Sequence, residues 1–281
     1  MKREDLNKLS NKERAEKSKE ILKQTFDYYK THDISMTKVC KMFNVSRTSL
    51  TKYMKDLGET SKFEKKHTLN EKYFSNIDTE SKAYWLGFIY ADGCITENKI
   101  EDRLKALTLE ITLKDEDRGH LAKFLESIES NTSVKDKIIK LNGKEIITCR
   151  ISINCTSLCR DLIRQGCTPR KSLTITFPNS LPSHLVRHFI RGYIDGDGCI
   201  STRKRLSVVG TESFLNSMQG YFIKSLNIKP TNVRPDKRGK HFIYEKGGKE
   251  TLLILEHLYS DSNIYLDRKY NKALAYLQSD L

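Results

Sequence analysis

Apolar and polar residues alternate strictly from Leu107 to Lys114 (Leu-Thr-Leu-Glu-Ile-Thr-Leu-Lys), the period of a strand with one buried and one wet face. A helical stretch around Leu121, Phe124 and Leu125 follows. Two strand-like runs then flank Asn142-Gly143, a strong hairpin signal. The second run alternates through Ile147, Cys149, Ile151 and Ile153, with Thr148, Arg150, Ser152 and Asn154 turned the other way, and an amphipathic helix near Leu158 to Ile163 closes the series. After Cys199 a similar order returns: a strand from Leu206 to Val209, a helix from Phe214 to Leu226, a hairpin about Asp236 to Gly239 and a helix near Leu252 to Leu258. These later strands are less regular.

The start of the chain has another pattern. Residues 13 to 30 read as an amphipathic helix, and Ile34 to Met54 reads as a helix-turn-helix. Val39 and Phe43 are expected to pack beneath, Asn44-Val45 to turn, and Ser46 to cap a second helix that points Leu50 and Met54 inward. Arg47, Thr48, Thr51, Lys52 and Lys55 then face outward, suited to a DNA major groove; an ordinary packing hairpin is the competing reading. The domain expectation is a module over 1–57, a polar, Lys-rich linker over 58–75, and two subdomains over 76–178 and 179–281.

Between these series lies a repeat. Gly87-Phe88-Ile89-Tyr90-Ala91-Asp92-Gly93-Cys94-Ile95 returns as Gly192-Tyr193-Ile194-Asp195-Gly196-Asp197-Gly198-Cys199-Ile200. Glycine inside an apolar helix lowers helix propensity but lets another helix approach closely. Two such helices packed together would leave Asp92 and Asp197 side by side at their ends, an arrangement able to hold divalent metal over a phosphodiester. A single Asp-Gly after an apolar run is an ordinary helix-ending turn. The duplication, with similar elements after each copy, argues against two accidental turns. An EF-hand is excluded by its missing third acid and closing glutamate.

On Trp85 to Gly93 and Ile190 to Gly198, the chain resembles the LAGLIDADG homing endonuclease family, over roughly residues 75 to 275. The resemblance implies an α+β fold of two pseudo-symmetric αββαββα subdomains packed through their motif helices, here preceded by a small all-α helix-turn-helix domain. It implies that Asp92 and Asp197 are the metal-binding acids. Tyr90 stands where the motif has its first aspartate, which is not a metal ligand in the family. Each half also carries a basic pair, Pro169-Arg170-Lys171-Ser172 and Asp267-Arg268-Lys269-Tyr270, a similar distance after its acid. By the same resemblance Lys171 and Lys269 would sit beside the scissile phosphate, polarising it, stabilising its developing charge or ordering the attacking water.

Charge fits a nucleic-acid partner: 50 Lys plus Arg against 36 Asp plus Glu give a formal net charge of +14 over 281 residues. The expected DNA-contacting residues are Arg47, Thr48, Thr51 and Lys52 in the N-terminal module, and Thr112, Lys114, Thr148, Arg150, Ser152 and Asn154 on the first sheet. Arg203, Arg205, Arg234, Lys237, Arg238 and Lys240, with Tyr244, are their counterparts on the second. Their mixture of donors and acceptors suits base edges as well as phosphates.

Other chemistry recedes. No apolar run is long enough for a membrane span and the charged start is no signal peptide, so a soluble, cytoplasmic protein is expected. Seven cysteines, an odd number, fit a reducing compartment, and Cys149, Cys155, Cys159 and Cys167 lack structural-zinc spacing. His184 and His188 read as surface or packing residues. Without the terminal nucleophile and His-Asn ending of protein splicing, the chain reads as free-standing.

Together these features point to a monomeric, Mg2+-dependent endonuclease, with Mn2+ able to substitute, that cuts double-stranded DNA in a long site and serves mobility of its intron or gene. It needs no protein partner. The rival readings are a non-cleaving DNA-binding regulator and an intron RNA maturase.

Overall fold

The computed structural model describes residues 10–59, 68–100, 103–141, 143–178, 180–201, 203–237 and 239–278. The chain divides into two compact units, residues 1–66 and 67–281. The first holds α1 (Asn11–Thr31), α2 (Met36–Met42) and α3 (Arg47–Asp56). Each starts at a serine, Ser10, Ser35 or Ser46, whose side chain accepts from an N–H three residues on. Glu13 completes a capping box with Ser10. Asn44, with φ 53°, turns α2 into α3, and Phe26, Tyr29, Val39, Leu50 and Met54 form the small core.

The second unit runs α4 (Glu80–Asp92), β1 (Gly93–Ile100), β2 (Arg103–Lys114), α5 (Arg118–Ser127), β3 (Lys135–Leu141), β4 (Lys144–Asn154) and α6 (Thr156–Arg164). The same order then returns as α7 (Val186–Asp197), β5 (Gly198–Ser201), β6 (Arg205–Gly210), α8 (Glu212–Leu226), β7 (Arg234–Pro235), β8 (Phe242–Gly247) and α9 (Lys249–Tyr259), followed by α10 (Asp267–Gln278). The αββαββα repeat is therefore present twice. Each half forms a four-stranded antiparallel sheet, in order β1-β2-β4-β3 and β5-β6-β8-β7. The halves are unequal: β2 has 12 residues and β6 has 6, while β7 has only 2.

Helices α4 and α7 form the centre. Ala83 through Tyr90 are all buried in α4, as are His188 through Asp195 in α7, so neither presents the polar stripe of a surface helix. Contact between two such helices requires their glycines. A Cβ on Gly87 would stand 1.9 Å from the Phe189 carbonyl oxygen, and one on Gly192 would stand 2.0 Å from that of Tyr84. Around the crossing, Tyr84, Trp85, Phe88, Phe189 and Ile190 are fully buried, each large apolar side chain contributing roughly 1.5–3 kcal/mol. Arg191, also fully buried, ties α7 to the start of α4: its guanidinium donates to Glu80 at 2.7 Å and to the Leu258 and Ile264 carbonyls at 3.0 Å. Glu80 also accepts from the Asn263 backbone and side-chain amides at 3.0 and 3.1 Å. This satisfies a buried pair that would be costly if left half-made.

Some expectations need correction. The linker expected to reach residue 75 ends sooner, because Tyr73 and Phe74 are buried in the core of the second unit; residues 60–67 lie outside those described. Ile147 is 60% exposed despite sharing parity with buried Cys149, because the β3–β4 hairpin extends past the core. Asn142 at its tip is not described. Tyr244, expected on the wet face of the second sheet, is fully buried opposite Val208. Strands β1 and β5 and helix α10 had no clear sequence signal.

Gly87→Ala and Gly192→Ala should each destabilise the protein by about 3 kcal/mol, the upper range for overpacking, because the clash is with backbone. Gly220→Ala, in α8 with nothing within 4 Å of its added carbon, should stabilise by about 0.5–1 kcal/mol. Urea denaturation of the three variants checks both signs.

Candidate active site

Asp92 is the last residue of α4 and Asp197 the last of α7, and in each case the chain leaves at once as a strand, through Gly93 and Gly198. The close helix crossing carries the two acids together. A Cβ on Gly196 would meet the Ala91 Cβ at 2.2 Å and an Asp92 carboxylate oxygen at 3.2 Å. Burial, and next the Asp197 charge, push the Asp92 carboxyl up to about 7. Burial likewise raises Asp197 above the usual carboxylate range, against the opposing charges of Lys171, Lys269 and His241.

Both lysines are buried beside the acids. The Lys171 ammonium donates to the Gly93 carbonyl at the end of α4. That of Lys269 donates to the Ile194, Asp195 and Gly196 carbonyls at 2.7, 2.5 and 3.2 Å. An ammonium has three N–H groups, so these carbonyls use all three. They belong to the last turn of α7, where a cation also complements the helix dipole. Burial pulls the Lys269 ammonium down to about 8, offset first by Asp195.

The residue two positions before each acid anchors that half's lysine segment, by different chemistry in the two halves. In the first half Tyr90 donates its hydroxyl to the Gln165 carbonyl, six residues before Lys171. In the second, Asp195 accepts from the Leu266 amide at 2.8 Å, three residues before Lys269, and from the Tyr84 and Tyr259 hydroxyls at 2.7 and 2.6 Å. Tyr84 in turn lies 3.0 Å from His120 Nε2. Because Tyr84 donates to Asp195, His120 is the donor to it and carries its proton on Nε2; burial holds this imidazole down to about 3.

The site offers hard oxygen donors. No group of three or more His, Cys, Asp or Glu stands together among the described residues, so the protein can supply two carboxylates and nearby carbonyls. That set fits Mg2+ or a similar cation, which is commonly held by one or two carboxylates with water and substrate phosphate completing the shell. A cavity of about 180 Å3 opens beside Asp197, lined in part by Lys171, Ser172, Tyr193 and His241.

Of the expected DNA-contacting residues, Lys114, Ser152, Asn154, Arg203, Arg205, Arg234, Lys237 and Lys240 are exposed, and Thr112 is half-buried. Arg150 is half-buried and paired with Glu110, while Arg234 is paired with Glu245. Thr148 departs from its expected wet position: it is buried, and its hydroxyl donates to the Lys137 carbonyl at 2.6 Å within the sheet. Arg238 lies outside the described residues. In the first unit Arg47, Thr48, Thr51, Lys52 and Lys55 line one shallow, exposed hollow on α3. Sequence reasoning missed Tyr193, His241 and the Glu80–Arg191 tie. Only Arg191 left a signal, a charge inside an apolar helix.

Among solved structures, the chain is similar to I-DmoI in complex with DNA and Ca: 17% identity, 74% of this chain and 99% of that one covered, and a TM-score of 0.50. It is also similar to mesophilic variants of I-DmoI (16% identity, 69% and 98% covered, TM-score 0.48) and to the I-SmaMI LAGLIDADG homing endonuclease bound to cleaved DNA (13%, 72% and 89%, 0.45). No protein-family model and no curated protein matches the sequence.

The raised Asp92 carboxyl makes a prediction for the metal-free protein. A folded pKa above the unfolded one means that ionisation opposes folding, so stability falls as pH rises from about 4 to about 7 and then levels. Asp92→Asn should therefore raise the melting temperature most above pH 7, with the gain shrinking towards pH 4. Adding Ca2+ should raise the melting temperature of the wild type but not of the Asp92→Asn/Asp197→Asn double variant.

Proposed function

We propose that this chain, which has the fold of I-DmoI, is a LAGLIDADG homing endonuclease: a site-specific, metal-dependent enzyme that hydrolyses both strands of a long DNA site. The observation that carries the reading is the pair of acids brought together by the helix crossing, Asp92 half-buried and Asp197 open to the surface, each half adding a buried lysine beside them. Two carboxylates this close, only partly offset by the neighbouring lysines, are unfavourable for folding and useful for recruiting a cation. I-DmoI is itself in complex with DNA and Ca, which supports both partners here.

Asp92 and Asp197 would hold Mg2+, or Mn2+ in its place. The bound cation supplies Lewis acidity at the phosphodiester and lowers the pKa of an attacking water. Lys269, with its donors engaged by carbonyls, acts through its charge, and Lys171 adds a second positive charge from the other half; both favour the negative charge that develops on the phosphate. Exposed Lys114, Arg203, Arg205, Lys237 and Lys240 hold backbone phosphates, while Thr112, Ser152, Asn154 and the Glu-paired Arg150 and Arg234 meet base edges. The protein acts as a monomer, because one chain provides both halves, and its cuts serve movement of the intron or gene that encodes it. The exposed basic face of α3 extends the contact with DNA.

Incubating the protein with DNA spanning its own insertion site, with Mg2+ and then EDTA, tests this. Metal-dependent double-strand cleavage is expected; specific binding without cleavage would indicate a regulator, and RNA splicing assistance alone a maturase. Asp92→Asn and Asp197→Asn should each abolish cleavage while keeping specific binding, and either one cutting at the wild-type rate would overturn the site. Lys171→Met and Lys269→Met should slow cleavage by about two to three orders of magnitude.

Removing residues 1–66, a unit of its own, should leave a folded nuclease of lower affinity whose footprint shortens on one side only. The slope of log affinity against log salt should fall by roughly one unit for each DNA phosphate that α3 no longer neutralises. An unchanged footprint and slope would reassign α3 to packing or partner docking.

A further inference from the structure

The two sheets correspond residue by residue through their ladders. Gly93 pairs with Ile111 and Ile111 with Ile151 in the first; Gly198 pairs with Val208 and Val208 with Tyr244 in the second. Asp92 and Asp197 directly precede the two glycines, so Ile151 corresponds to Tyr244. Three residues earlier, Thr148 corresponds to His241.

These equivalent positions carry different chemistry. Thr148 is buried and its hydroxyl is engaged by the Lys137 carbonyl, which fastens β3 to β4. His241 is half-buried and opens onto the cavity that also reaches Asp197, Lys171, Ser172 and Tyr193. Its backbone is fixed, since the His241 carbonyl accepts from the Asp236 amide at 2.8 Å. The Tyr193 hydroxyl on the same wall donates to the Val209 carbonyl at 2.9 Å, so its one proton is engaged within the protein. An imidazole N–H in a cavity shared with a carboxylate and an ammonium is a suitable donor to a non-bridging phosphate oxygen.

We propose that His241 contacts the scissile phosphate at the Asp197 end of the site, that the Asp92 end has no equivalent donor at Thr148, and that the two DNA strands are therefore cut by unequal machinery. This rests on the endonuclease reading, and its test separates the two.

The substrate is a duplex selected by the wild-type protein from a randomised library, labelled on both strands, and cleavage is followed strand by strand in Mg2+. His241→Ala should slow one strand by roughly ten- to hundredfold, the size of removing one hydrogen bond to a charged group, while the other strand keeps its rate and nicked duplex accumulates. His241→Gln, which keeps an N–H donor, should restore part of the loss. Equal slowing of both strands, or no slowing, overturns the proposal, and a general folding defect cannot imitate a one-strand effect. A second measurement does not depend on cutting. In EDTA, a neutral methylphosphonate at the scissile position of that strand should weaken wild-type binding by a larger factor than His241→Ala binding, since the lysine charges act on that phosphate in both proteins; equal weakening of both proteins overturns the contact. Should the wild type bind DNA yet cut neither strand, the endonuclease reading fails, and the EDTA comparison alone decides whether His241 touches phosphate.

Discussion

The backbone-to-backbone approach of α4 and α7 is the constraint on which the rest depends. Side-chain packing sets most helix pairs 8–10 Å apart, but here Gly87 and Gly192 leave no room for even a Cβ against the facing carbonyls. Closer axes bring the helix ends together, and the helix ends carry Asp92 and Asp197. The same crossing places Gly196 against Ala91 and Asp92, so the packing glycines and the acids are one device. The Glu80–Arg191 pair at the other end of the crossing limits rotation of one helix against the other.

Chemistry and stability pull against each other at this point. Two acids with raised pKa values and a lysine brought down to about 8 are unfavourable to desolvate. The apolar mass around the crossing and the fully bonded Asp195 and Arg191 compensate. Asp195 and Arg191, each with three or more partners, hold the frame, whereas the two terminal acids lie nearer the surface.

Much of this was legible in the sequence because it repeats. The motif glycines and acids announce themselves by recurring in order, and β2 and β4 announce themselves by alternation. Other parts could not be read. β1 and β5 are outer strands with exposed Cys94 and Cys199 where an alternating apolar run would be expected. Tyr244 was assigned to the wrong face because a six-residue strand offers too few positions to fix parity. Lys171 and Lys269 were recognisable as a matched pair, yet that Lys269 caps three carbonyls is a property of three-dimensional placement, as is the bond from Glu80 to Arg191 across 111 positions of sequence.

The inequality of the sheets has a consequence for target geometry. At about 3.3 Å per residue, a strand of β2's length reaches about 40 Å and one of β6's length about 20 Å. Two identical subunits would impose a palindrome on their target, since each would read its half-site through the same side chains. A fused chain has no such obligation, and on the proposed endonuclease reading the longer ribbon would follow one arm of the duplex about twice as far as the shorter one. The sequence information in the target should therefore be lopsided, dense on one arm and sparse on the other.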